Sequence, residues 1–190
     1  MPPSVSAYLF LLVLVGVLRL GELVISRRNQ ARMRASGVSK VPEPGFRWMV
    51  LLHVGVLICA AVEVVFLHRP FILPLAVAAS AAFIFANLLR WWVIRTLAGH
   101  WNVQVMASGP LGVITSGPYR WVRHPNYLAV VLELLSLPLI HTAWITAIAG
   151  TLANAWVLRN RLAVEEPVLM SNPMYRAEMG RKPRFIPGFF

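Results

Sequence analysis

Acidic residues are scarce in this sequence, and charge of either sign is low. Its 190 residues include no aspartate and seven glutamates, and only 13% are charged. Soluble domains carry about a quarter charged residues. The hydrophobic fraction of 58% and the mean hydropathy of +0.66 therefore exclude an ordinary soluble domain and indicate a membrane protein. The length fits one compact unit.

Cysteine is nearly absent as well. The single Cys59 lies in an apolar run, so the chain has neither a disulfide framework nor a cysteine metal site. The histidines and glutamates form no set with the spacing of metal ligands. We therefore predict no bound metal.

The charge that is present is mostly basic. A formal net charge of +11 has the right sign for a nucleic-acid binder, but such a protein is polar overall and carries its charge on a soluble face. Here the basic residues punctuate apolar segments, as in the cytoplasmic loops of membrane proteins. We expect membrane lipids as partners and no nucleic acid. The sequence leaves the oligomeric state open.

The first half of the chain contains three apolar runs, at 5–25, 47–67 and 71–94. Each is long enough to cross the hydrocarbon core, which takes roughly 20 residues. The first run has no basic leader and no cleavage site with small residues, so we interpret it as an anchor and not as a signal peptide. The third run ends in residues suited to an aromatic and basic membrane interface, Arg90, Trp91, Trp92 and Arg95.

Two shorter apolar runs follow, at 126–140 and 142–158. We predict that they form a tight helical hairpin with Pro138 near its bend. The expected architecture is an all-α integral membrane protein of about five transmembrane helices. Residues 1–97 supply three spans, and 98–190 supply the hairpin, a cytoplasmic tail and the polar segments that are candidates for a ligand site.

Lysine and arginine are concentrated in three segments. Segments 27–47, 90–123 and 159–184 hold sixteen of the eighteen basic residues. Because cytoplasmic loops are enriched in lysine and arginine, all three segments belong on the cytoplasmic side. The sequence thus predicts five crossings, with the N-terminus outside and the C-terminus in the cytoplasm.

The segment GPYRWVRHPNY, at 117–127, is too polar for lipid and directly precedes a helix. Pro125 disfavours helical geometry at His124 and suits a first helical turn itself. The free N–H groups of that turn favour an anionic or hydrogen-bonding ligand. Two interpretations remain: the segment forms a ligand pocket, or Arg120 and Arg123 hold lipid phosphates beside interfacial aromatic residues.

A second polar cluster, LRNRLAVEEPVLM at 158–170, leaves the membrane on the same side. Arg161 and Glu165 are four residues apart and share one face of a continuing helix, whereas Glu166 points elsewhere. The pair is either a solvated salt bridge or part of the same pocket. The hairpin brings the two clusters together, which favours the pocket.

These motifs carry a resemblance. GPYRWVRHPNYL at 117–128, RLAVEEPVL at 161–169 and MYRAEMGRKPRFIP at 174–187 together resemble the isoprenylcysteine carboxyl methyltransferase family. The resemblance covers roughly the C-terminal half, from 89–105 onward. It implies an integral membrane enzyme that uses S-adenosylmethionine.

Two other functions remain as alternatives. Membrane sterol reductases that use NADPH carry a similar Arg-His-Pro-x-Tyr pattern. A transporter or lipid-binding protein would use the charged residues inside the spans, although no inverted hydropathy repeat supports it.

The resemblance also implies a cytoplasmic cofactor pocket and its residues. The arginine associated with the acidic group of the substrate corresponds to Arg161. Glu133 lies inside a predicted helix, where charge is costly, and it either lines the substrate cavity or pairs with a polar side chain. The candidates for that pairing are His53, Asn87 and Asn154. The cofactor contacts fall on Gln104, Leu111, Gly112, Val113, Ile114, Tyr119, His124, Pro125, Asn126, Tyr127 and Glu165.

The identity of the methyl acceptor depends on the N-terminal half. RLGELVISRRNQARM at 19–33 resembles bacterial members that methylate alkylpyrone and alkylresorcinol lipids. The tail has SNPMY where the family usually has Phe-Gly before its tyrosine, which affects the substrate more than the cofactor. We expect O-methylation of an acidic hydroxyl on a polyketide lipid in a bacterial inner membrane. A prenylcysteine carboxylate is the second candidate.

Overall fold

Six α-helices form nearly all the regular structure in a computed structural model that describes residues 1–106 and 112–186. Within those ranges the only β pairing is an isolated bridge between Lys40 and Met106. The all-α prediction is confirmed. The helices are α1 (Pro3–Ala35), α2 (Phe46–Phe66), α3 (Leu73–Leu97), α4 (Pro125–Leu139), α5 (Trp144–Met170) and α6 (Pro173–Met179), with short 3₁₀ turns at Ala98–His100 and Gly117–Arg120.

Helices α1, α2 and α3 are long and apolar enough to cross a membrane, as predicted. The fourth helix, with 15 residues, measures about 22 Å at 1.5 Å per residue, which is short of a hydrocarbon core of about 30 Å. Helix α5 has 27 residues but becomes polar in its second half. The chain is an integral membrane protein, and its orientation stays a prediction.

Two helices continue well beyond their apolar runs. Helix α1 extends from the predicted end at 25 to Ala35, and α5 extends from 158 to Met170. Arginine, glutamine, alanine, leucine and glutamate dominate these extensions, and all are good helix formers. Both helices therefore carry polar side chains past the membrane surface.

The predicted hairpin is present. Helix α4 packs against α5 on one side and α3 on the other, and the buried Pro138 stands next to the bend. Glu63 of α2 fixes the start of α5, because its carboxylate accepts hydrogen bonds from the backbone N–H of Ile145 (3.1 Å) and of Thr146 (2.7 Å). Arg69 pairs with the same carboxylate at 2.8 Å.

Gly117 positions the polar segment before α4. Its φ of +57° is a left-handed conformation, and a Cβ atom at this position would lie 2.3 Å from Oγ1 of Thr96 on α3. Only glycine fits both constraints. The chain therefore turns tightly against the end of α3 before it enters the segment that contains His124.

Candidate active site

The extension of α1 holds the loop that follows α3. Nδ2 of Asn29 donates hydrogen bonds to the carbonyl oxygens of Ala98 (3.0 Å) and Trp101 (2.8 Å). The hydroxyl of Ser26 accepts one from the backbone N–H of Val103 at 3.0 Å. Because these α1 residues are buried, residues 98–106 form a fixed wall of the site.

The segment after α1 supports the same wall from the other side. The backbone N–H of Val41 donates to the carbonyl oxygen of Val105 (3.0 Å), and the carboxylate of Glu43 accepts from the N–H of Val105 (3.3 Å). Burial raises the pKa of Glu43, although the charge of Arg161 opposes this change. Glu43 thus joins the loop to Arg161, which lies 3.5 Å from it.

Residues 183–184 of the C-terminal tail are hydrogen-bonded to the segment that precedes α4. The backbone N–H groups of Arg123 and His124 donate to the carbonyl oxygens of Pro183 and Arg184, both at 2.9 Å. Glu166 reinforces this contact, because its carboxylate lies 3.2 Å from Arg123, 3.3 Å from His124 and 3.0 Å from Nε of Arg184. Glu166 therefore faces the tail, and Glu165 faces the site.

His124 is buried and uncharged in this setting. Its ring stacks on Tyr127 with 5.2 Å between the centroids, and only 4% of the residue is exposed. Burial lowers the pKa of His124, and the negative charges of Glu165 and Glu166 compensate only in part. The neutral imidazole keeps one ring nitrogen as a hydrogen-bond acceptor.

Arg161, Tyr127 and Glu165 form a connected group. Nε of Arg161 donates to the hydroxyl of Tyr127 (2.6 Å), and that hydroxyl donates to Glu165. Arg161 also donates to the carbonyl oxygen of Val103 (2.8 Å) and to the sulfur of Met49 (2.9 Å). A guanidinium carries five N–H groups, so these three bonds leave two. The one on Nη1 faces Glu43 at 3.5 Å, and the one on Nη2 has no partner among the described residues.

A polar cavity lies between the loop, the start of α4 and the end of α5, and it gathers most of the predicted cofactor residues. Arg161 stands in its wall. Pro125 is buried in the first turn of α4 and does not face the cavity, and Leu111 lies outside the described residues. The predicted residues that line this polar cavity are Gln104, Gly112, Val113, Ile114, Tyr119, His124, Asn126, Tyr127 and Glu165.

A second, apolar cavity of about 360 Å³ lies deeper, between α1, α2, α4 and α5. Leu20, Val54 and Val130 belong to its mostly aliphatic lining. It meets the polar cavity at a shared wall that includes Arg161 and Tyr127. The structure thus combines a polar compartment and a membrane-embedded apolar compartment at one arginine.

Glu133 does not line either cavity. Its carboxylate instead pairs with Arg90 and lies 3.6 Å from Nε of Arg19. The sequence analysis did not propose these two partners, because it placed Arg90 at the membrane interface. Arg90 is in fact 5% exposed, whereas the neighbouring Trp91 and Trp92 face outward.

Several residues that line or support the polar cavity were not predicted from the sequence. Asn102, which lines it, and Glu43, which holds its wall through Val105, lie in loops, where no periodic pattern marks them. The buried α1 positions 22, 26, 29 and 33 repeat every three or four residues, and this helical spacing was the available signal. Missed lining residues include Met33, Trp101, Asn102, Arg123 and Tyr175.

Comparison with known proteins shows similarity to one family. The model of the isoprenylcysteine carboxyl methyltransferase (ICMT) family matches residues 76–171. "Uncharacterized protein YpbQ" of Bacillus subtilis (strain 168) is 26% identical over 160 residues, which cover 84% of this chain and 94% of the relative. An "Uncharacterized protein" of Haemophilus influenzae (strain ATCC 51907 / DSM 11121 / KW20 / Rd) is 27% identical over 153 residues, which cover 80% and 88%.

A solved structure shares the fold. It is described as "Structure of the eukaryotic intramembrane Ras methyltransferase ICMT (isoprenylcysteine carboxyl methyltransferase) without a monobody" and matches with a TM-score of 0.56 at 23% identity. The match covers 79% of this chain, which spans 56% of the length of the eukaryotic chain.

Proposed function

Because this chain belongs to the isoprenylcysteine carboxyl methyltransferase family of membrane methyltransferases, we propose that it transfers a methyl group from S-adenosylmethionine to an acidic oxygen of a lipophilic acceptor. The meeting of a polar and an apolar cavity at Arg161 and Tyr127 supports the proposal. A water-soluble cofactor and a lipid can reach one point from the two compartments.

The residues of the polar cavity fit this cofactor. Oδ1 of Asn126 is buried and has no hydrogen-bond partner among the described residues, so it is available to accept from an amino group. Glu165 offers a carboxylate to ribose hydroxyls or to the positive sulfonium. Burial raises the pKa of Tyr119, so its hydroxyl stays protonated and can donate to a cofactor atom.

When bound, S-adenosylmethionine supplies an activated methyl group on its sulfonium. The chain then has to align the acceptor oxygen and exclude water. Arg161 has an N–H group on Nη2 for an anionic oxygen, and the Tyr127 hydroxyl holds its guanidinium in place. The aliphatic wall that includes Val54 and Val130 accepts the lipid tail.

An ionised acceptor needs no general base in this site. A carboxylic acid has a pKa of about 4 and arrives charged, whereas a phenol has a pKa near 10 and depends on a nearby cation. Arg161 is the cation that stands at the junction of the two cavities. An enolic pyrone and a carboxylic acid both satisfy this requirement.

The family description favours a prenylcysteine-like carboxylate as the acceptor. The comparisons give no support to an alkylpyrone or an alkylresorcinol, which rests on the N-terminal resemblance alone. The family match also argues against an NADPH-dependent reductase and against a transporter. We therefore retain acidic oxygens of lipids as the acceptor class and leave the choice to an assay.

Calorimetry on the purified protein tests the cofactor. We expect saturable binding of S-adenosylmethionine and none of NADPH. The reverse result would contradict the proposed function. Membranes that contain the protein should also methylate at least one acceptor from a panel of an alkylpyrone, an alkylresorcinol and a farnesylcysteine analogue.

A further inference from the structure

Charged side chains stand in the wall of the otherwise aliphatic cavity. Arg19 and Glu22 of α1, His53 of α2 and Arg90 of α3 all line it. A hydrocarbon tail alone does not require such groups, and charge inside a membrane is costly. The polar part of this wall therefore needs an explanation beyond tail binding.

The charges compensate one another. Arg19 lies 2.8 Å from Glu22, and Arg90 pairs with Glu133. The cross pairs, Arg19 with Glu133 and Arg90 with Glu22, are both 3.6 Å. Two arginines and two glutamates thus form a closed group of zero net charge across α1, α3 and α4.

Stability alone is a weak reason for this group. Replacing a buried ion pair with well-packed apolar residues is often neutral or stabilising, because the pair has to be desolvated. A group kept at the wall of a cavity is better explained by what the cavity binds. Its zero charge argues against a second anion as the ligand.

Hydrogen-bonding capacity remains in the same wall. Nε of Arg90 is buried and has no hydrogen-bond partner among the described residues, and only 5% of this residue is exposed. Nε of Arg19, by contrast, faces Glu133 at 3.6 Å. Nδ1 of His53 lies 2.8 Å from the carbonyl oxygen of Met49, so this nitrogen carries the proton. Nε2 of His53 is therefore an acceptor, and the wall offers both a donor and an acceptor.

The position of His53 relates this wall to the reaction. Met49, whose sulfur is 2.9 Å from Nη1 of Arg161, stands four residues before His53 on α2. Four residues rise about 6 Å along a helix, or roughly one turn. The His53 wall thus lies one helical turn along α2 from the arginine that receives the acceptor oxygen.

We propose that His53 and Arg90 bind a second, uncharged oxygen function of the acceptor lipid. This inference rests on the proposed function and narrows its substrate class. The acceptor carries two oxygen functions, one ionised at Arg161 and one neutral about one helical turn away. A single acid on a plain hydrocarbon chain lacks the second contact.

Two matched pairs of acceptors test this inference. One pair is a 5-alkylresorcinol and the 3-alkylphenol of equal chain length. The other is N-acetyl-S-farnesylcysteine and S-farnesyl-3-mercaptopropionate, which lacks the acetamide. In each pair that is turned over, we expect the member with the extra oxygen to have a kcat/KM at least about tenfold higher, the effect of one to two hydrogen bonds.

Variants identify the residue responsible. His53→Leu should bring the ratio within a pair close to one, mainly through the KM of the oxygen-rich member. His53→Gln keeps an acceptor and should restore much of the ratio. Val130 lies in the part of the wall that accepts the lipid tail and has no polar group, so Val130→Ala should raise the KM of both members alike and leave their ratio unchanged.

The outcomes separate the two proposals. A turned-over pair with a ratio near one, or a ratio that His53→Leu does not change, overturns this inference and leaves the methyltransferase function intact. Binding of S-adenosylmethionine without turnover of any of the four compounds overturns this inference. If the alkylpyrone is not turned over either, the acceptor class of the proposed function is contradicted as well.

Discussion

Arg161 donates a hydrogen bond of 2.6 Å from Nε to the hydroxyl of Tyr127, at the wall that both cavities share. Tyr127→Phe removes this contact while it preserves the packing of the ring. A hydrogen bond to a charged group contributes about 1.5–3 kcal/mol, so we expect kcat/KM to fall about 10- to 100-fold. Kinetics of methyl transfer with the best acceptor measure the effect.

Tyr8→Phe is the matched control for that variant. The hydroxyl of Tyr8 donates to the carbonyl oxygen of Leu137, far from both cavities. The Tyr8→Phe variant should therefore have a lower thermal midpoint and an unchanged kcat/KM. Equal kinetic losses in both variants would contradict a specific role for Tyr127.

Arg161→Lys separates acceptor binding from cofactor binding. Lysine keeps the charge but loses the planar fork that contacts Tyr127 and Val103 together. We expect turnover to fall by about 100-fold and the affinity for S-adenosylmethionine to change by less than about threefold. Parallel kinetics and calorimetry measure both effects. A comparable loss of cofactor affinity would assign Arg161 to the cofactor.

His124→Ala and Glu165→Ala should each weaken binding of S-adenosylmethionine by about tenfold or more, because each removes a polar side chain from the polar cavity. Calorimetry on variants with native thermal midpoints measures this change. Arg159→Ala, on the outer side of α5, is the control and should bind normally. Wild-type affinity in both test variants would show that the cofactor binds elsewhere.

The buried His124 predicts a loss of stability in weak acid. Burial lowers the pKa of His124, and the positive charge of Arg123 lowers it further. The negative charges of Glu165 and Glu166 offset these effects only in part. The unfolded chain therefore binds a proton first, and the stability contribution is complete above a pH of about 6.5 and declines below it. Thermal unfolding between about pH 7.5 and about pH 5, a range that includes the ordinary histidine pKa of about 6.5, should show a falling midpoint.

His124→Gln should flatten part of that decline, because it removes one of the buried histidines that titrate in this range. Glu166 does not contribute to the decline in stability over this pH range. Burial raises its pKa, but the hydrogen bonds of Arg184 and the charge of Arg123 outweigh burial and place the pKa below its ordinary value. Its contribution is lost only below a pH of about 4.5. An unchanged slope in His124→Gln would assign the acid sensitivity to another group.

The distribution of basic residues predicts that tags after Ser36 and at the C-terminus are cytoplasmic, while a tag at the N-terminus is outside. Ser36 is exposed at the end of α1, so an insertion there leaves the helices intact. Protease protection in right-side-out vesicles measures this orientation. Cleavage of the tag after Ser36 by protease added outside would contradict the predicted orientation.

The helices were predictable because hydrophobic length is a local property. The runs at 47–67 and 71–94 correspond closely to α2 and α3. The end of α1 was not predictable, because its apolar run ends at the membrane surface while the helix continues to Ala35. The continuation of α5 was expected from the spacing of Arg161 and Glu165, although its end at Met170 was not. The polar tail of α1 is helical partly because Asn29 and Ser26 are buried against a distant loop.

The candidate site was predictable where one motif contains several polar residues. The segment that contains His124 and the segment that contains Glu165 do meet at one cavity. The partners of Glu133 were not predictable, because the rotation of α3 decides whether Arg90 faces lipid or protein. Packing against α1 and α4 turns Arg90 inward, and a single sequence carries no record of that rotation.

The hydrogen bonds from Asn29 and Ser26 to residues 98–106 affect the order in which the protein can assemble. Helix α1 leaves the ribosome first, yet these side chains find their partners only after α3 has been synthesised. A fragment that begins at residue 76 contains the whole region matched by the family and still lacks these bonds. The region matched by the family model therefore depends on α1 for part of its structure. Helix α1 is synthesised first and completes these hydrogen bonds only when residues 98–106 are present.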